Sequence, residues 1–428
     1  MTDFRTIAPQ VREFPQLTLP QPTTVTLPNG GLLHSLNNGD QPVAMMSLIY
    51  DGGSCEMNRR GALQLMAATI SEGTANHSAE EIAEILDFNG AWFRVDTSSH
   101  NVTVTLQALV GGLNEILPIV ADIITNPTFP TDKVESIKRK LIAGARLNLK
   151  KVGAIANHAD RKAIFGDKHP MYTNIVMPDD LESLTRDDVV EAWRRTLGAL
   201  IPQIYLAGQI SDVQQLVVEL FGHQKPSYSN GLKRRIIPAQ PMAEHHSTVN
   251  VDGAMQSAVV LSIPTIPRSH PDYIDLRMAG IALGGYFGSR LMTNIREEKG
   301  LTYGINASLC GYAEGGVLNI SSQTDPRYVE QLIDETIKEI VDLQTSPMSN
   351  EEFEIVKRYE MSSLAATLDS PFNIISLVMT RQTVGTPDDY FEQQQRALRE
   401  ATPERIAEVM SRHIDTNNIY VTIAGPTI

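Results

Sequence analysis

At 428 residues the chain is two to three times the size of a typical domain, and 42% hydrophobic residues suffice for a core in each of two. A formal charge of −14 argues against a surface built to neutralise nucleic-acid phosphates. No uninterrupted run of about 18 apolar residues occurs, which argues against a membrane-crossing helix. The two cysteines, Cys55 and Cys310, are too few for a disulfide framework and are read as small buried thiols in a reducing compartment. Met1-Thr2-Asp3-Phe4-Arg5 is not a basic region followed by an apolar run, so no secretory leader is read there and a cytoplasmic location is expected.

In chain order, strands are predicted at Val25 to Leu27 and Val43 to Tyr50. Val102, Val104 and Leu106 alternate with polar residues, the pattern of a central strand with one buried face. A helix follows over Leu113 to Ile124, and Pro127 and Pro130 punctuate the chain before the next one. From Phe221 to Glu244 the residues Pro226, Ser227, Ser229, Asn230, Gly231, Pro238 and Pro241 break any regular pattern. Lys225, Lys233, Arg234 and Arg235 make this stretch locally basic, and it is read as a solvated connector. Strands are predicted again at Ser247 to Val251 and Gln256 to Ile263, and a helix over Tyr328 to Leu343, with Pro347 before the next.

This second series echoes the first. Thr131-Asp132-Lys133-Val134-Glu135-Ser136-Ile137-Lys138-Arg139 aligns with Asn350-Glu351-Glu352-Phe353-Glu354-Ile355-Val356-Lys357-Arg358 at an offset of 219. Leu181 to Thr185 followed by Ala207-Gly208 aligns with Leu398 to Thr402 followed by Ala424-Gly425 at an offset of 217. So long a period is a domain duplication and not a solenoid. Strands grouped with helices predict an α+β fold of two duplicated domains, each a mostly antiparallel sheet with helices on one face. The expected boundaries are 1–220 and 245–428, joined by a linker at 221–244.

Gly53-Ser54-Cys55-Glu56, Gly61-Ala62-Leu63-Gln64-Leu65-Met66-Ala67-Ala68 and Glu72-Gly73-Thr74 follow one another in the first half. Asn126-Pro127 with Phe129, and Phe165-Gly166-Asp167 with His169-Pro170, come next. The second half holds Leu283-Gly284-Gly285, Ser289-Arg290-Leu291 and Ile295-Arg296-Glu297-Glu298-Lys299-Gly300-Leu301 followed by Tyr303. In this order and spacing, over most of its length, the chain resembles the pitrilysin/insulinase family of zinc peptidases, which includes mitochondrial processing peptidase. The resemblance implies the LuxS/processing-peptidase-like metalloprotease fold.

Catalytic members carry His-x-x-Glu-His where this chain has Gln64, Ala67 and Ala68. Histidines at i and i+4 share one helix face and can grip one zinc ion while the glutamate activates bound water. An alanine methyl can do neither, and the Gln64 amide is a poor zinc ligand. The family's third ligand, a downstream glutamate, would fall within Leu141-Ile142-Ala143-Gly144-Ala145-Arg146-Leu147-Asn148-Leu149, which contains no acid. No metal and no cofactor is therefore expected on this chain, and no catalytic residue.

Other histidines offer no ligand spacing. His245 and His246 are adjacent, and His158, near Asp160, and His169, after Asp167, are read as surface or hydrogen-bonded histidines. Gly284-Gly285 lacks a phosphate-loop context and is read as tight packing or a bend.

Arg296 and Tyr303 remain. The resemblance implies that they face the zinc across a chamber and hold the substrate backbone and the developing oxyanion, work suited to two hydrogen-bond donors. The plain alternative makes Arg296 a surface charge near Glu297 or Glu298 and Tyr303 a half-buried strand aromatic. The function implied is a non-catalytic, substrate-binding subunit of a heterodimeric zinc peptidase. Its expected partners are a zinc-bearing homologous subunit and peptides or unfolded segments, with no nucleic acid and no membrane. A structural scaffold of the respiratory-complex core type, or a homodimeric peptide-binding protein, are the alternatives.

Overall fold

The computed structural model describes residues 14–233, 235–312 and 315–426; the N-terminal stretch read for a leader, and Arg234, lie outside them. The first sheet comprises β1 (Thr23–Thr26), β2 (Leu32–Asn37), β3 (Val43–Asp51), β4 (Trp92–Thr97), β5 (Asn101–Leu109) and β6 (Gln203–Gly208), in the order β1-β2-β6-β3-β5-β4. The second comprises β7 (His246–Asn250), β8 (Ser257–Thr265), β9 (Thr302–Gly311), β10 (Gly316–Thr324) and β11 (Tyr420–Gly425), in the order β7-β11-β8-β10-β9. Without β1 the two orders are one connectivity. Each places a single parallel pair, β2 with β6 and β7 with β11, at the same point of an otherwise antiparallel sheet. The matched Ala-Gly pairs end β6 and β11, and the matched nonapeptides open the helices Thr131–Asn148 and Asn350–Ala366.

The predicted elements are found close to their expected limits. Leu113–Thr125 and Val329–Thr345 are helices, and β5 buries Val102, Val104, Leu106 and Ala108 while its alternate residues lie half in solvent. Gly284 packs tightly, since a Cβ there would lie 2.6 Å from the Ala307 amide nitrogen.

The second face of each sheet is covered from the opposite half. In β3, Ala44, Met46, Leu48 and Tyr50 join the core of the first half, whereas Met45 and Ile49 join a cluster built mainly by the second. That cluster includes Ile374, Ile375 and Val378 of the helix Pro371–Val384, which packs on β6 and β2. Conversely the helix Val152–Phe165 packs on β11, β8 and β7, with Ala156 against Ala258, Val260 and Ala424. The two exchanged helices are themselves repeat-related at the offset of 219. A strand buried on both faces reads as a near-continuous apolar run, which Val43 to Tyr50 is.

Two expectations need correction. Cys310 is exposed, because it points outward from β9, an edge strand; Cys55 alone is buried. The connector is not freely solvated: Leu232 is buried, and the amides of Gln240 and Met242 donate to the carbonyls of Phe165 and Ala163 (3.0 and 2.8 Å). Among the described residues no helix is long and apolar enough to cross a membrane.

Candidate functional site

The helix Ala62–Thr69 starts at Gly61, whose φ of 80° and whose approach to Val176, 2.9 Å from an added Cβ, require glycine. Leu63, Leu65 and Met66 face the core, which turns Gln64, Ala67 and Ala68 to the outer side. Gln64 Nε2 donates to Asn174 Oδ1 (3.3 Å), which also accepts from Ser54 Oγ (2.9 Å). Gln64 is therefore engaged as an amide, beside two methyl groups. Residues 141–149, on and just beyond the facing helix Thr131–Asn148, bring no carboxylate. These residues do not fit a zinc ion.

A chemically richer cluster lies just before that helix. Cys55 Sγ donates to Glu56 Oε1 (2.5 Å) and lies 3.1 Å from His100 Nδ1, which is itself 3.0 Å from Glu56 Oε1. Two backbone amides, Gly53 (2.8 Å) and Arg235 (3.2 Å), also donate to the Glu56 carboxylate, and the Arg235 guanidinium donates to the Cys55 carbonyl. Glu56 is only 4% exposed. Burial alone would raise its carboxyl, but donation from His100, Cys55 and the amides holds it below the usual range. Burial, then the hydrogen bond and charge of Glu56, push the Cys55 thiol well up. Glycine is required at position 53, since a Cβ would lie 2.4 Å from the His100 amide nitrogen. Sequence reasoning missed this cluster because 45 residues separate Cys55 from His100. The only available signal was the pairing of β3 with β5, whose register of Asp51 opposite Asn101 sets His100 over the loop after β3.

A second set, His270, Asp272 and His413, brings three possible ligand atoms together. Asp272 accepts from Arg405, Arg412 (3.0 Å) and His413 (2.7 Å), and two guanidinium charges make this a poor place for a cation. His158 lies 3.4 Å from the Tyr172 hydroxyl, and His169 Nδ1 accepts from the Met171 amide while its ring stacks on Phe165. Asp160, near His158 in sequence, is 4% exposed, beneath the second sheet.

Arg296 lies on a π-helical turn, Met292–Glu298, with its guanidinium 4.6 Å from the Phe287 ring centroid and 3.9 Å from Glu297 Oε1. Asn294 fixes the turn to the helix Val329–Thr345 through Glu335 (3.2 Å) and Glu339 (2.7 Å). Gly300, at φ 63°, then reverses the chain into β9. Tyr303 is 92% exposed, not half-buried, and has no hydrogen-bond partner among the described residues. It lines a cleft of about 360 Å³ with Thr302, Ser321 and Gln323 of the second sheet and Gly153 and Asn157 of the exchanged helix. Arg296 does not line this cleft, although its turn packs against β9.

Residues 33–152 match the model of the insulinase family (peptidase family M16), and residues 183–359 match the peptidase M16 inactive domain. The chain is 20% identical to the "non-peptidase homolog YmxG" of Helicobacter pylori, over 90% of this chain and 89% of that protein. It is 23% identical to a probable mitochondrial-processing peptidase subunit beta of Schizosaccharomyces pombe, over 97% and 93%. The crystal structure of a peptidase M16 inactive domain from Pseudomonas fluorescens shares the fold, with a TM-score of 0.85, 23% identity and coverage of 95% and 98%. With two M16 matches over most of its length, and without the side chains that hold zinc, this chain belongs to the insulinase (M16) peptidase family as an inactive member.

Proposed function

We propose that the chain is the substrate-binding, non-catalytic subunit of a two-chain zinc peptidase acting on peptides or unfolded segments. One observation carries this reading: Tyr303 stands in solvent at a cleft of the second sheet, on a strand against which the turn carrying a lightly paired Arg296 packs, while positions 64, 67 and 68 can bind no metal. The Tyr303 phenol, almost fully exposed on an ordered edge strand, is free to meet a ligand or partner. A phenol and a guanidinium donate hydrogen bonds and would stabilise a peptide carbonyl as it gains negative charge. Zinc, its bound water and the general base would belong to a homologous partner with His-x-x-Glu-His. The processing-peptidase relative, described as a subunit, supports a paired arrangement.

The test mixes the purified chain with such a zinc-bearing homologue and follows cleavage of an unfolded peptide. Chelator-sensitive cleavage is expected only when both are present, and both Arg296→Ala and Tyr303→Phe should reduce it. If neither substitution changes activity or peptide binding, the chain is a scaffold. A homodimer that binds peptide without cleavage, whatever partner is supplied, would favour the third arrangement.

A further inference from the structure

We propose that Cys55, Glu56 and His100 form a binding site for one thiophilic divalent cation, zinc in the first instance, separate from the lost His-x-x-Glu-His position. The three donors belong to a zinc-competent set: a thiolate, a carboxylate and an imidazole nitrogen. Their atoms already converge, at 2.5, 3.1 and 3.0 Å from one another.

A hydrolytic triad does not explain the geometry. Both the thiol and the carboxylate meet the same ring nitrogen, His100 Nδ1, whereas a nucleophile–histidine–acid relay needs opposite ring nitrogens. Thiol and imidazole instead crowd one carboxylate oxygen, which suits three donors arranged about a common point. On binding M²⁺ the Cys55 thiol releases one proton to solvent, His100 moves its ring proton from Nδ1 to Nε2, and Glu56 exchanges its side-chain donors for the ion. Thiolate and carboxylate then neutralise the two positive charges, and imidazole adds none.

Tetrahedral bonds of 2.0–2.3 Å put ligand atoms about 3.4 Å apart, so His100 must withdraw by roughly 0.3–0.4 Å and Cys55 Sγ must part from Glu56 Oε1, now 2.5 Å away, by about 0.9 Å. His100 can supply its part, because its side chain is partly exposed and sits on the short turn between β4 and β5, and the larger part is a rotation of the Cys55 thiol away from the carboxylate once its proton is gone. Glu56 is already oriented by the Gly53 amide on its other oxygen, the kind of outer support that metal ligands use. Three protein ligands leave the fourth position open. The His270, Asp272 and His413 set lacks this balance, since Arg405 and Arg412 already saturate its carboxylate.

The experiment titrates the reduced, metal-stripped full chain with Co²⁺ and then with Zn²⁺. One equivalent of Co²⁺ should bind with a thiolate-to-cobalt charge-transfer absorption, and Zn²⁺ should abolish the signal by displacement. The signal should persist in Cys310→Ser, disappear in Cys55→Ser, and require at least about 100-fold more cobalt in His100→Ala, because outer partners alone are worth 10–100-fold. Should Cys55→Ser fail to fold, the wild type and the His100→Ala and Cys310→Ser variants still decide the matter. Absence of the charge-transfer band in wild type, its loss in Cys310→Ser, or unchanged affinity in His100→Ala would show a hydrogen-bonded loop lock and overturn the proposal. None of these readouts involves peptide cleavage, so the subunit reading stands or falls separately.

Discussion

Asp160 Oδ2 accepts a 2.8 Å hydrogen bond from Ser262 Oγ, joining a helix of the first half to a strand of the second. Ser262 Oγ in turn accepts from Asn319 Nδ2 (2.9 Å), so a buried polar chain crosses the seam where the exchanged helix lies on the sheet. Burial raises the Asp160 carboxyl to about 7, against the opposing effects of the Ser262 bond and the Arg161 charge. The folded chain keeps this proton up to about pH 7, whereas an unfolded chain releases it near pH 4. The stabilising contribution is therefore complete below about pH 4 and is lost as pH rises through 7. Asp160→Asn should stabilise the fold at pH 8 by on the order of 1–3 kcal/mol, read as a rise in the urea midpoint, and change little at pH 4. Equal effects at both pH values would show that Asp160 is ionised throughout.

The exchanged helix also sets a packing limit. Ala156 is fully buried against Ala258, Val260 and Ala424, leaving no room for a longer side chain. Ala156→Leu should cost about 1–3 kcal/mol or more through overpacking, measured as a fall in the denaturation midpoint. A neutral result would mean that the helix does not rest on the second sheet.

A third stability test concerns Asp122. Its carboxylate accepts from Thr74 (2.5 Å), Asn76 (2.7 Å) and Asn126 (2.8 Å) and faces His77 Nδ1 at 3.1 Å, tying Glu72-Gly73-Thr74 to the end of the helix Leu113–Thr125. Asp122→Ala leaves several donors without an acceptor and should cost about 2–4 kcal/mol. Thermal unfolding near neutral pH measures it. A loss below about 1 kcal/mol would mean that water replaces the carboxylate at little cost.

Much of this architecture was legible in the chain. The alternation at Val102, Val104 and Leu106 locates β5 because that strand keeps one face on the core of its own half. The nonapeptide repeat locates two helices whose surroundings are duplicated. The exchange of helices was not legible, since local periodicity tells that a helix has an apolar side but not which half will cover it. The loss of metal ligands could be read directly from Gln64, Ala67 and Ala68, because chemistry at a motif needs no tertiary information. The Cys55, Glu56 and His100 cluster could not, since strand register alone brings residue 100 to residue 55. The exposure of Tyr303 and of Cys310 follows from β9 being an edge strand, a property of sheet order and not of the segment itself.

The degenerate helix makes its own prediction. Gln64→His combined with Ala68→His restores two imidazoles at i and i+4, which should bind zinc at that face more tightly than wild type. Peptide hydrolysis should stay undetectable, because Ala67 is no base and residues 141–149 supply no third ligand. Isothermal titration in a Cys55→Ser background checks the first expectation, and a fluorogenic peptide the second. Failure of the paired histidines to bind would mean that the two side chains do not share a face.

In the paired enzyme proposed above, Tyr303→Phe should lower kcat by about 10²-fold with little change in KM, the signature of a donor used in the transition state. A rise in KM alone would place Tyr303 in ground-state binding.

The most direct measurement incubates the purified chain, alone and zinc-replete, with an unfolded peptide in the presence and absence of chelator. The account predicts no cleavage in either condition. Chelator-sensitive turnover that disappears in Gln64→Ala would contradict it.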